Sequence, residues 1–121
     1  MKTILLIEDN DIMRENTAEI LELFNYQVLM AENGIRGVEL ALITIPDLII
    51  CDITMPEMDG IEVLQKMCTK EKTKKIPFIF LTAHSEKLDV ARGLDLGADE
   101  YLTKPYKGED LINVVDKYLH I

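Results

Sequence analysis

The sequence predicts an α/β domain built on a parallel sheet with helices on both faces. Three observations predict it. Short apolar runs alternate about five times with segments of helical period. The runs are continuously apolar, as parallel strands covered on both sides must be. Polar residues gather where the runs end, at one edge of such a sheet.

The elements follow in order. Thr3 to Ile7 (TILLI) is the first strand, and Met13, Thr17, Ile20, Leu21 and Phe24 then recur at helical spacing. Gln27 to Met30 is the second strand. Asn33-Gly34 marks a turn, Val38, Ala41, Leu42 and Ile45 repeat with a helical period, and Pro46 stops that helix. Leu48 to Cys51 is the third strand, with Ile61, Leu64 and Cys68 lining the helix after Gly60. Ile76 to Leu81 (IPFIFL) is the fourth, carrying Pro77 near its start, where a missing N–H is tolerated. Ser85 can cap a helix that runs to about Leu96 and ends at Gly97. Gly93 within it costs about 1 kcal/mol relative to Ala, which marks a soft element. Glu100 to Thr103 is a short fifth strand, and Leu111, Val114, Val115, Tyr118 and Leu119 define an amphipathic last helix. No linker or internal repeat interrupts the pattern, so residues 1–121 read as a single domain.

Composition excludes several classes. With 48% hydrophobic and 29% charged residues the chain has the balance of a water-soluble domain. No apolar stretch spans a membrane, and the start MKTILLIEDND lacks a secretory profile. Two cysteines, Cys51 and Cys68, are too few for a disulfide framework. A cytoplasmic location is expected. The net charge of −9 and pI near 4.6 oppose direct nucleic-acid binding. The one basic patch, Lys70 to Lys75, reads as a solvated loop.

The stretch LIICDITMPEMDG (Leu48 to Gly60) poses the chemical question, because its apolar strand ends in the carboxylate Asp52. An unpartnered carboxylate near a core costs several kcal/mol. In a doubly wound sheet, ligands bind beyond the carboxyl ends of the strands. Glu8 and Asp9 follow the first strand, Asp52 ends the third, Thr82 ends the fourth, and Thr103-Lys104-Pro105 follows the fifth. Two charges about 5 Å apart at an effective dielectric near 20 repel by roughly 3 kcal/mol, so three mutual pairs cost on the order of 10 kcal/mol. Either a carboxylate takes up a proton or a cation sits among them. Oxygen donors without His or Cys suit a hard ion, Mg²⁺ above all, and Lys104 adds a further positive charge. Such a site can let a carboxylate oxygen attack a phosphoryl group while cations stabilise the transferring charge.

The pieces LLIEDN, CDITMPEMDG, IFLTAH and GADEYLTKP, in this order and at these strand ends, resemble the receiver domain of bacterial two-component response regulators over the whole chain. The resemblance implies a flavodoxin-like (βα)5 fold with strand order 2-1-3-4-5 and Asp52 as phosphoacceptor. It implies Mg²⁺ held by Asp9, Asp52 and the backbone carbonyl of Thr54, with Glu8 acting through water. Lys104 would contact the phosphoryl group, Thr82 and Tyr101 would form a switch pair, and Lys104-Pro105 would be a cis bond. Glu8 stands where Asp is commoner, and Thr54 and His84 are variable positions that tune the phosphoryl lifetime. Expected partners are a histidine kinase or phosphotransfer protein, then a downstream partner, or a second copy on phosphorylation, at the fourth helix, fifth strand and fifth helix.

Simpler readings exist for single residues. Asp9 alone would be a helix cap, a task Asn10 or Asp11 can take; Thr82 alone is a strand-end hydroxyl, and Tyr101 a sheet aromatic. Met55 and Met58 are packing residues, and His120 suits the last turn of a helix. Two rivals come from other classes. A small phosphatase of the haloacid dehalogenase type would use Asp9-x-Asp11, but Ile12 and Met13 do not continue that pattern and no cap domain fits. A flavodoxin needs a phosphate-cradling loop where EDND would repel the phosphate.

Overall fold

The computed structural model describes residues 1–83 and 87–119. In chain order the elements are β1 (Thr3–Ile7), α1 (Asp11–Leu23), β2 (Gln27–Ala31), α2 (Gly34–Thr44), β3 (Leu48–Asp52), α3 (Gly60–Cys68), β4 (Phe78–Thr82), α4 (Lys87–Leu96), β5 (Glu100–Thr103) and α5 (Gly108–Leu119). Every strand pair is parallel and the sheet runs β2-β1-β3-β4-β5, the flavodoxin-like order. Register places Leu6 opposite Met30 on one side and Ile50 on the other.

Successive side chains of a strand point to opposite faces, so one apolar run feeds two cores. Leu5, Ile7, Ile49, Cys51, Phe78 and Phe80 pack with residues of α2, α3 and α4. Ile4, Leu6, Leu48, Ile50, Ile79 and Leu81 pack with α1 and α5. Each fully buried Leu, Ile or Phe contributes about 1.5–3 kcal/mol, and this is why the runs show no polar alternation. Among the described residues, no helix is long and apolar enough to cross a membrane.

Helix ends depart from the sequence reading in small, explicable ways. Asn33-Gly34 is a helix start, with the Asn33 side chain accepting from the Arg36 N–H at 2.7 Å. Ile45 leaves α2 in a left-handed conformation (φ 46°) and is 39% exposed, so it lies outside the buried face. Phe24 caps α1 past its last helical turn and is 54% exposed. Periodicity counts both as core because it cannot see where a helix stops. β4 begins at Phe78; Pro77 precedes it and gives its carbonyl to the Ile49 N–H. The Lys70–Lys75 loop is solvated, as expected, and is tied to α3 by the buried Thr73 hydroxyl donating to the Met67 carbonyl. Ser85, His84 and His120, read from sequence as a helix cap, a position tuning the phosphoryl lifetime and a last-turn residue, lie outside the described residues.

Gly93 has a packing reason. A Cβ at this position would lie 2.1 Å from Cε2 of Phe80, a ring that is itself fully buried. Absence of a side chain brings α4 against the sheet, and the softness inferred from sequence is the by-product of a close contact. Gly93→Ala should therefore destabilise the fold by about 1–3 kcal/mol through overpacking, although Ala is the better helix former by about 1 kcal/mol. Urea unfolding of the two proteins decides between these opposing terms; a more stable variant would mean that α4 yields freely.

Candidate functional site

The carboxyl edge of the sheet collects the charged groups. β1 delivers Glu8, buried to 1% exposure, and then the exposed Asp9. Asn10 takes the cap of α1, its side chain accepting from the Met13 N–H at 2.9 Å, so Asp9 is not used as the cap. β3 delivers Asp52, 6% exposed. Carboxylate oxygens of Glu8, Asp9 and Asp52 all lie within 4.8 Å of one another. Lys104, after β5, reaches across: its Nζ is 2.8 Å from Glu8 Oε1 and 3.1 Å from Asp52 Oδ2. The Lys104-Pro105 peptide bond is cis. The other Glu8 oxygen accepts from the Asn10 N–H at 3.3 Å.

These contacts set the protonation of the cluster. Burial and then the neighbouring Glu8 charge push the Asp52 carboxyl up to about 7, with Lys104 opposing. Burial also acts to raise Glu8, but the hydrogen bonds from Lys104 and Asp52 outweigh it and hold that carboxyl below its usual range. Asp9 is raised by partial burial and by Glu8. Lys104 is raised: its two carboxylates overcome the effect of burial. Glu8 and Asp52 thus share the Lys104 ammonium, and the three carboxylates together exceed its single charge.

The loop after β3 is fixed by backbone. Gly60 N–H donates to the Ile53 carbonyl at 2.7 Å, and a Cβ on Gly60 would sit 2.4 Å from the Asp52 carbonyl oxygen. Asp59 caps α3 in a reciprocal box with Glu62. Thr54 is exposed in this loop, two residues past Asp52.

Thr82 is fully buried at the end of β4, its hydroxyl donating to the Ala83 carbonyl at 3.1 Å. Tyr101 on β5 is 45% exposed. A groove of about 480 Å³ runs between them, walled by Lys87, Val90 and Leu94 of α4. Sequence reasoning missed Arg14, whose guanidinium donates to the Glu8 carbonyl at 2.8 Å and pairs with Asp11. It also missed the hydrogen bond between Thr17 and Tyr106. Arg14 carried a signal, being an isolated cation one turn into the helix that follows an acidic pair.

A doubly wound sheet whose carboxyl edge holds three carboxylates and a lysine, beside a groove with a hydroxyl at one end and an aromatic at the other, defines a signalling receiver module. The chain belongs to the response regulator receiver domain family, whose model matches residues 4–116. It is a receiver domain of the two-component type. It is 39% identical over 112 residues to the DNA-binding dual master transcriptional regulator RpaA of Synechocystis, covering 93% of this chain and 46% of that protein. Identity is also 39% over 111 residues to the phosphate regulon transcriptional regulatory protein PhoB of Pseudomonas aeruginosa, covering 92% of this chain and 48% of that one. The chain spans about half the length of these curated relatives.

Solved structures agree. The signal receiver domain of a histidine kinase from Syntrophus aciditrophicus superposes with TM-score 0.91 at 39% identity, over 98% of this chain and 90% of that one. The receiver domain of sensor histidine kinase PA1611 from Pseudomonas aeruginosa does so with TM-score 0.91 at 28% identity, over 99% and 98%; that protein holds a magnesium ion in its active-site cleft. The comparisons favour neither the phosphatase nor the flavodoxin reading.

Proposed function

We propose that this chain, read as one receiver domain over residues 1–121, accepts a phosphoryl group on Asp52 from a histidine kinase or phosphotransfer protein in the cytoplasm. The observation that carries the reading is the Asp52 carboxylate, buried at a strand end between an acidic pair and Lys104. An Asp52 oxygen attacks phosphorus and forms the O–P bond. The bond from phosphorus to the donor, a histidine nitrogen or the oxygen of acetyl phosphate, breaks with its electron pair leaving on the donor.

Lys104 already faces Asp52 and supplies fixed positive charge where the new phosphoryl oxygens arrive. The oxygen-only donor set fits a hard divalent ion. Asp9, Asp52 and the Thr54 carbonyl would hold Mg²⁺, with Glu8 acting through water. When bound, the ion neutralises charge on the phosphoryl group and on the carboxylates. Autodephosphorylation is the only hydrolysis this arrangement supports.

Incubation with acetyl phosphate and Mg²⁺ should add one phosphoryl mass, labile to hydroxylamine. Asp52→Asn should take up none; labelling equal to the parent would reject the assignment.

Output follows from charge. A phosphoryl group brings about −1.5 to −2 charges to Asp52. The Thr82 hydroxyl, at the next strand end, can turn toward it, and the Tyr101 ring can move into the groove beside it. This rearrangement would bias a two-state surface of α4, β5 and α5 toward a partner or a second copy. Thr82→Ala should therefore be phosphorylated like the parent, yet lose most of the phosphorylation-induced change at Tyr101. Tyrosine fluorescence and analytical ultracentrifugation with and without acetyl phosphate read both; an unchanged response in the variant would remove Thr82 from the switch.

A further inference from the structure

The turn that carries Lys104 is held at two points. On the sheet side the Lys104 N–H donates to the Thr82 carbonyl at 2.7 Å. On the helix side the Tyr106 hydroxyl is hydrogen-bonded to the Thr17 hydroxyl of α1, across 89 positions of sequence. Thr17 is 3% exposed, one of few buried polar residues among those described, and Tyr106 packs its ring on the core shared by α1 and α5. Three residues before Thr17, on the same face of α1, Arg14 holds the Glu8 carbonyl at 2.8 Å. One helix face thus grips the loop that bears the acidic pair and the turn that bears the lysine.

This matters because of the reach of a lysine. Its four-carbon stem is rich in rotamers, so its head is only as well placed as its backbone. Lys104 Nζ must satisfy Glu8 and Asp52 together, at 2.8 and 3.1 Å. A tilt of the turn would favour one carboxylate and abandon the other. Ring packing alone would locate Tyr106 but leave its part-buried hydroxyl and that of the buried Thr17 without each other, a loss that grows with burial.

We propose that Tyr106 is a positioning residue for phosphoryl transfer, acting through its hydroxyl bond to Thr17 to hold Lys104 against Asp52. The inference rests on the reading of Asp52 as phosphoacceptor and Lys104 as its cationic partner. Tyr106 touches no reacting atom. Its proposed influence runs through Lys104, which separates it from a residue that merely stabilises the fold.

The test is a double-mutant cycle on the rate of Asp52 phosphorylation by acetyl phosphate at saturating Mg²⁺. Tyr106→Phe should slow the maximal rate about three- to tenfold, the scale of one lost hydrogen bond, with little change in half-saturation by Mg²⁺. Thr17→Val should match it, and Thr17→Ser, which keeps the hydroxyl, should restore the parental rate. In a Lys104→Ala background, Tyr106→Phe should have no further effect. A parental rate in Tyr106→Phe, or the same fractional loss with and without Lys104, overturns the proposal. If Lys104→Ala is itself phosphorylated at the parental rate, the reading beneath the proposal fails as well, and the two failures are thereby told apart.

Discussion

In metal-free buffer, wild-type protein should lose more stability from pH 5 to pH 8 than Asp52→Asn does, and at pH 8 the variant should be the more stable. The cause is the Asp52 carboxyl, raised from 3.8 to about 7 by burial and by Glu8. A group whose folded pKa lies above its unfolded value contributes stability that is fully present below the unfolded value, near 4. That contribution drains away as pH rises through the folded value, near 7. Each pH unit within the window is worth at most about 1.4 kcal/mol, so the difference at pH 8 should reach about 2–4 kcal/mol. Glu8, held low, loses its contribution only in more acid solution, and Lys104, held high, only in alkali. Neither bends the curve between pH 5 and 8, whereas Asp9, also raised, adds a loss of the same sign in both proteins. Urea titrations at several pH values measure it, and comparing the two proteins cancels the titrations of groups remote from Asp52. Parallel profiles would mean that Asp52 ionises as freely as an exposed aspartate.

Addition of Mg²⁺ should reverse that loss. At a hundredfold excess over its dissociation constant, a ligand bound only by the folded state adds about 2.7 kcal/mol, which for a domain of this size raises the melting temperature by roughly 8–15 °C. Asp9→Ala removes the exposed member of the three-carboxylate cluster and leaves the Lys104 bridge between Glu8 and Asp52 intact. Its melting temperature should respond to Mg²⁺ by a small fraction of the wild-type shift. Equal shifts in the two proteins would place the ion elsewhere.

Much of this architecture was legible from residues alone, for a physical reason. A strand covered on both faces must be continuously apolar, so TILLI, LIIC and FIFL announce themselves, and any polar residue at their ends must lie at a sheet edge. The cluster of Glu8, Asp9, Asp52 and Lys104 follows from that one rule and the strand order. What pattern could not supply was register in space. Whether Lys104 reaches Asp52 alone or Glu8 too depends on a path after β5 that no spacing encodes. Phe24 and Ile45 look like core residues until the helix end is known. Thr17 and Tyr106 are ordinary residues far apart in sequence, and their bond exists only because α1 and the start of α5 meet on one face of the sheet.

Two tightly packed glycines, Gly93 and Gly60, differ in what stands in their way, and that difference shapes the substitutions this fold can absorb over generations. At Gly93 the obstacle is the Phe80 ring, a side chain that a second mutation could shrink. Position 93 can therefore drift if position 80 drifts with it, and the pair is a natural place for compensatory change. At Gly60 the obstacle is main chain, the Asp52 carbonyl and the Ile53 Cα at 2.4 and 2.8 Å. No exchange of side chain elsewhere can remove a backbone atom. Gly60 is thus barred from variation by geometry, without ever touching a substrate, and it carries that restriction because it stands against the residue proposed to receive the phosphoryl group.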